Sequence, residues 1–277
     1  MSGRRLRGWR KLAGSSWSAP FDPQFFGDLE IDAANLLSYI EDTRRHTGEH
    51  VTITHAVVKA VAAGLREVPG LNVRLTRHRE YPRDSIDVLV IVATGGELTG
   101  VRIEAADTKS LAEIAGEVER RTALIRKGED AEFGRTKRML EVLPPSLLRH
   151  GLRLSAWLTS DRNINLPRFG LPRQAFGGAM VSSIGMTGIT HAYSPLASYY
   201  RVPLLVLVGA VSEKAVVVNG TIVARPILTM TATFDHRYTD GLQAAEFARA
   251  AREYLSNPSA AESHPASANA DHAPVPT

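Results

Sequence analysis

The 277-residue chain has no cysteine, which excludes a disulfide framework, a thiolate nucleophile and any metal site built on thiolates. Aromatic residues are scarce at 6%, but hydrophobic residues reach 44%, ample for a core. No apolar run approaches the eighteen or so residues that a membrane-crossing helix needs. The basic opening, Arg4-Arg5-Leu6-Arg7 through Trp9-Arg10-Lys11, has the charge of a secretory signal but no apolar stretch behind it. It reads as a solvated arm over residues 1–19, and the protein as cytoplasmic. The net charge of +4 is spread along the chain, so no nucleic-acid partner is expected.

What is present alternates between strands and helices. Phe26 to Ile31 can form a strand, and Ala33 to Arg45 a helix capped by Asp32. Thr52 opens a longer helix, with Val57, Val58, Val61, Leu65 and Val68 on one face before Pro69-Gly70 stops it. His55, near its start, reads as a surface or capping residue rather than a catalytic base. Asp84 to Thr94 is continuously apolar and predicts a central strand covered on both faces; Gly95-Gly96 turns it into a partner at Leu98 to Ile103. Ser110 to Arg126 is an amphipathic helix. Ala179 to Ser183 and Leu204 to Ala210 are strands, and Asn219-Gly220 marks a hairpin turn of type I′. The pattern is α/β, a mixed sheet covered by helices in a single domain over residues 20–256. Residues 257–277, rich in Ala, Ser, Pro and His, predict a disordered tail. His264 and His272 in it are too far apart and unsupported to hold a metal, and no metal site is expected.

The functional signal is Phe234-Asp235-His236-Arg237-Tyr238-Thr239-Asp240-Gly241, which lies where a β-branched run gives way to a helix. An imidazole at such a junction is held rigidly with its tip at a cleft, and can take a proton from a thiol or hydroxyl near neutral pH. Asp240 also suits a plain helix N-cap, with Gln243 completing a capping box.

H-x-x-x-D-G after a strand ending in Phe-Asp resembles the signature of the acyltransferase core subunits of 2-oxo-acid dehydrogenase complexes, which share the chloramphenicol-acetyltransferase-like fold. Two further stretches resemble that family in the same order: Ala56-Val57-Val58-Lys59-Ala60 through Pro69-Gly70-Leu71-Asn72, and Gly177-Gly178 through Val181-Ser182-Ser183-Ile184-Gly185. The resemblance implies His236 as general base, Asp240 as an orienting residue, and Ser182, with Ser183 as the fallback, as oxyanion donor. It implies coenzyme A or acyl-coenzyme A as substrate, a thiol, hydroxyl or amine acceptor, and a homotrimer or a multiple of three, since family members set the histidine of one subunit against the serine of its neighbour. Arg10 is the arm residue nearest in position to the arginine that approaches the aspartate in that family.

The chain also departs from the family. No lipoyl domain with its lysine, and no subunit-binding domain, precedes the core in this sequence, so a free-standing enzyme without a covalent lipoyl group is expected, served if needed by a separate lipoyl-bearing protein. An insertion at about 130–174 carries a basic, leucine-rich helix from Ser146 to Leu158, read mainly as intramolecular packing; a subunit contact, a channel cover or attachment to a membrane surface are the less favoured roles. Ser194-Pro195 and Tyr199-Tyr200 stand where the family has an Asn-Pro approach to the next strand. The alternative to an enzyme is a catalytically silent trimeric scaffold derived from the same fold.

Overall fold

The computed structural model describes residues 23–76, 79–94, 97–127, 145–197 and 199–263. The arm at 1–19 with Arg10, the Gly95-Gly96 turn, and His264 and His272 lie outside the described residues.

Alternating apolar residues put β1 (Gln24–Asp32) at one edge of a six-stranded sheet. It leads into α1 (Ala34–Thr47), where Asp32 Oδ1 accepts from the Ala34 amide at 3.0 Å. Helix α2 (Ile53–Glu67) starts at Thr52, and His55 closes a reciprocal cap: its Nδ1 accepts from the Thr52 amide at 3.1 Å. His55 is thus a capping residue and not a surface one, for it is buried. A small hairpin, β2 (Val73–Thr76) and β3 (Arg79–Pro82), precedes β4 (Val88–Thr94), β5 (Glu97–Ile103) and α3 (Leu111–Arg126). After α4 (Pro145–Ala156) come β6 (Ala179–Ser183), β7 (Leu204–Val218), β8 (Thr221–Asp235), α5 (Gly241–Ser256) and α6 (Pro258–Ser263).

The sheet order is β1-β8-β7-β6-β4-β5; β6 runs parallel to both β4 and β7, and the other pairings are antiparallel. Because side chains alternate across a strand, Val88, Val90, Ala179, Val181, Leu204 and Val206 join α1, α2, α3 and α5 in the main core. Leu89, Met180, Leu205 and Leu207 fall on the opposite face, where loops rather than helices lie over them. The first half of β4 is therefore covered on both faces, as its apolar run predicts, although it stands next to the edge strand β5. Strands β7 and β8 run well past their neighbours as a two-stranded ribbon, closed by Asn219 and Gly220 at φ 51° and 81°. Both residues of that turn need positive φ, and Asn-Gly supplies it.

One expectation needs correcting. The tail does not lose order at 257: α6 forms, and Glu262 on it accepts from the Tyr254 hydroxyl at 2.8 Å and lies 3.7 Å from Lys59 Nζ. Ala261 of α6 also packs on the main core, and Pro258 is buried. In the inserted helix the side chains of Leu147 and Leu148 lie outside the described residues, and Leu152, with Leu158 just beyond it, is half-buried. Ala156 is buried, but Leu154 is 56% and Trp157 39% exposed. A single π-helical turn, Trp157–Asp161, ends that segment and is tied to the rest by Arg201, which pairs with Asp161 at 3.1 Å, and by Arg74, which donates to the Ser160 carbonyl at 2.9 Å. Among the described residues no helix is long and apolar enough to cross a membrane.

Candidate active site

His236 follows the last residue of β8 and is exposed. Its backbone amide donates to the Pro23 carbonyl at 2.7 Å, and its ring leans on Phe25 with centroids 5.1 Å apart. Phe25 in turn stacks on Phe234 at 5.0 Å, so the imidazole is backed by a rigid aromatic shelf. The turn after it is fixed from three sides. Arg237 clasps the carboxylate of Asp235, with Nε 2.9 Å from Oδ1 and Nη2 2.5 Å from Oδ2. Tyr238 is buried; burial pushes its phenol up, against the pull of Arg83. Asp240 Oδ1 accepts from the amides of Leu242 and Gln243, each at 3.0 Å, and so starts α5. The N-cap reading of Asp240 is what the structure displays.

Ser182 lies on β6 two residues after Met180, and therefore on the face away from the helices. It opens into a cleft of about 500 Å³ on the loop-covered side of the sheet. Ser183 points the other way and its hydroxyl meets only the Gly185 amide, at 3.4 Å. The loop beyond β6 is pinned across the sheet by side chains that sequence patterning did not single out. Thr231 and Thr233 of β8 donate to the Ala192 and Ser194 carbonyls at 2.5 and 2.7 Å, and Gln24 Oε1 accepts from the Leu196 amide at 2.9 Å. This pinning sets Tyr199 and Tyr200 beside Phe176 at the cleft. Adjacent tyrosines in a chain so poor in aromatics were the available signal.

Gly177-Gly178 and Asn72 come together, but as packing. The Gly178 amide donates to the Asp87 carbonyl at 2.7 Å, and a Cβ at Gly177 would sit 2.5 Å from that same oxygen. A Cβ at Gly178 would overlap the Asn72 side chain. The glycine pair thus lets β6 enter the sheet alongside β4.

His236 and Ser182 are not brought together within one protomer. Ser182 is in register with Leu207 on β7, and Leu207 with Thr231 on β8; His236 lies five residues further on. Two strand spacings across and five residues along amount to roughly 20 Å.

The sequence profile of the family described as 2-oxoacid dehydrogenases acyltransferase (catalytic domain) matches residues 6–132 and 173–262. The chain belongs to this acyltransferase family. Helix α4 and the π turn after it lie in the interval that the family profile passes over. Among family relatives, the dihydrolipoyllysine-residue acetyltransferase component of the pyruvate dehydrogenase complex of Rickettsia prowazekii is 23% identical over 240 residues, covering 85% of this chain and 49% of that protein. The chain spans about half the length of the curated relatives it matches. The crystal structure of a probable dihydrolipoamide acetyltransferase from Listeria monocytogenes superposes with a TM-score of 0.64 at 21% identity, covering 92% of this chain and 94% of that one. That of Azotobacter vinelandii dihydrolipoamide acetyltransferase, studied for the role of a serine, a histidine and an asparagine in its catalytic mechanism, gives 0.64 at 18% identity, covering 87% and 84%. The fold is the chloramphenicol-acetyltransferase-like α/β architecture that the motifs implied.

Proposed function

We propose that this chain transfers an acyl group between coenzyme A and a thiol, hydroxyl or amine acceptor, at a site completed by two copies of the chain in a homotrimer. One observation carries this reading: the roughly 20 Å between His236 and Ser182 within a protomer, with the serine opening into a cleft on the sheet face opposite the main core. Neither group can serve the other unless a second copy brings its histidine to that cleft. The β7–β8 ribbon supports assembly, because its cross-strand partners Val217 and Ile222 are 70% and 72% exposed and a lone two-stranded ribbon is marginal in water. The histidine and asparagine studied in the Azotobacter enzyme are four residues apart, the spacing of His236 and Asp240 here, which supports assigning those two and Ser182 to the site.

In this mechanism the neutral imidazole of His236 takes the acceptor's proton as the acceptor attacks the thioester carbonyl. The Ser182 hydroxyl donates to the oxyanion that forms, a contact worth about 3 kcal/mol of barrier when well aimed. Collapse of the tetrahedral intermediate breaks the carbon–sulfur bond, and the imidazolium returns its proton to the coenzyme A thiolate. Asp240 acts at one remove: by capping α5 it fixes the turn on which His236 stands.

Mixing inactive variants tests the shared site. His236→Ala and Ser182→Ala chains, each without activity alone, are unfolded together and refolded at equal ratio. A shared site regains about a quarter of wild-type turnover, since one interface in four then pairs an intact histidine with an intact serine. No recovery in mixed trimers would sink this reading.

A further inference from the structure

The cleft beside Ser182 has a composition that says what it can hold. Its floor is Leu89, Met180 and Leu205, contributed by three adjacent strands on one face of the sheet. Its wall is an aromatic trio: Phe176 lies 5.8 Å from Tyr199 and 4.9 Å from Tyr200, and the two tyrosine rings are 4.6 Å apart. Burial, with Tyr200 beside it, pushes the Tyr199 phenol up. Two cations border the cleft, Arg102 and Arg121. Arg102 is engaged by Glu104 at 2.6 Å and by the carbonyls of Arg173 and Gln174 at 3.0 and 3.2 Å. Arg121 is paired with Glu117 at 3.0 Å. Among the described lining residues, no uncommitted cation waits for a carboxylate.

A group bound here is therefore surrounded by apolar and aromatic surface immediately beside the hydroxyl assigned to the thioester oxyanion. A two-carbon acyl group has one methyl to bury and leaves most of a 500 Å³ cleft to water. An acyl group ending in a carboxylate would desolvate that charge with no uncommitted cation among the described lining residues to pair it. We infer that this cleft selects a bulky apolar acyl group, branched or aromatic, on the thioester donor. The inference rests on the acyltransferase reading and goes beyond it by naming the acyl class and the residues that choose it: Phe176, Tyr199 and Tyr200.

Selectivity is measured as kcat/KM for acetyl-, succinyl-, isovaleryl- and benzoyl-coenzyme A with dihydrolipoamide as acceptor, using the full chain. Isovaleryl or benzoyl donors are expected to exceed acetyl by at least roughly tenfold, the scale of one or more methylenes in an apolar pocket. Phe176→Ala and Tyr200→Leu, each checked for an unchanged unfolding transition, are expected to shrink that ratio about tenfold. Acetyl or succinyl as the best donor, or a loss equal for all donors in both variants, overturns the inference. The same coenzyme A thioesters titrated by calorimetry separate the two claims. Absence of transfer from every donor to dihydrolipoamide, and likewise to an alcohol and an amine acceptor, removes the acyltransferase reading. In that case tighter binding of isovaleryl- than acetyl-coenzyme A, abolished in Phe176→Ala, upholds the cleft's selectivity, and equal binding removes that too.

Discussion

His236→Ala is expected to lower turnover by about two to four orders of magnitude, and Ser182→Ala by about two to three, with acyl-coenzyme A binding nearly intact in both, as steady-state kinetics beside calorimetric titration will show. Loss of affinity in step with turnover would mean that these residues bind substrate rather than act on it. A second histidine has consequences of a different kind. Burial, reinforced by the charges of His50 and Arg44, pulls His55 down from 6.5 to about 4. The unfolded chain then binds a proton that the folded one refuses, so this contribution to stability is fully present above pH 6.5 and is lost as the pH falls towards 4, to the extent of about 3 kcal/mol. His55→Gln keeps an acceptor for the Thr52 amide in the capping box. Urea unfolding of this variant across that window should show a shallower loss than wild type; parallel curves would refute the assignment.

Helix α6 is six residues long, yet it brings Glu262 to two buried partners, Tyr254 and Lys59. Removing residues 257–277 should cost about 1–3 kcal/mol, because the Tyr254 hydroxyl and the Lys59 ammonium lose a charged partner. Removing only 264–277 should leave the unfolding midpoint in place, and equal midpoints for both truncations would show that α6 contributes nothing. Apolar periodicity did not announce α6, which is too short to show a face; its signal was Asn257-Pro258, an N-cap residue followed by proline at the first helical position. The elements that periodicity did announce, such as α2 with its valine and leucine face and the β6 alternation that aims Ser182 away from the helices, are held by apolar burial. The same distinction runs through the site. His236, Asp240 and Ser182 were legible as local motifs, whereas the aromatic wall of the cleft depends on a loop path set by Thr231, Thr233 and Gln24, residues up to 172 positions away in sequence. In the leucine-rich insertion Ala156 is buried, Leu154 is exposed, and Trp157 lies under the Arg162 guanidinium, 4.7 Å from the ring centroid.

At the scale of the molecule, the sheet holds Ser182 on a central strand and His236 just past the end of β8, roughly 20 Å apart. On the proposed shared site, specific activity should depend on concentration: constant while trimers persist, and falling steeply once dilution breaks them, with light-scattering mass falling in step. Activity that survives in a solution of monomers would contradict the arrangement. On that proposal the gap would do something for the living cell that no single catalytic residue does. A newly made chain, already folded around its own core, would be chemically inert towards thioesters until it met its own kind, so the arrangement would act as a safety catch released only by correct assembly.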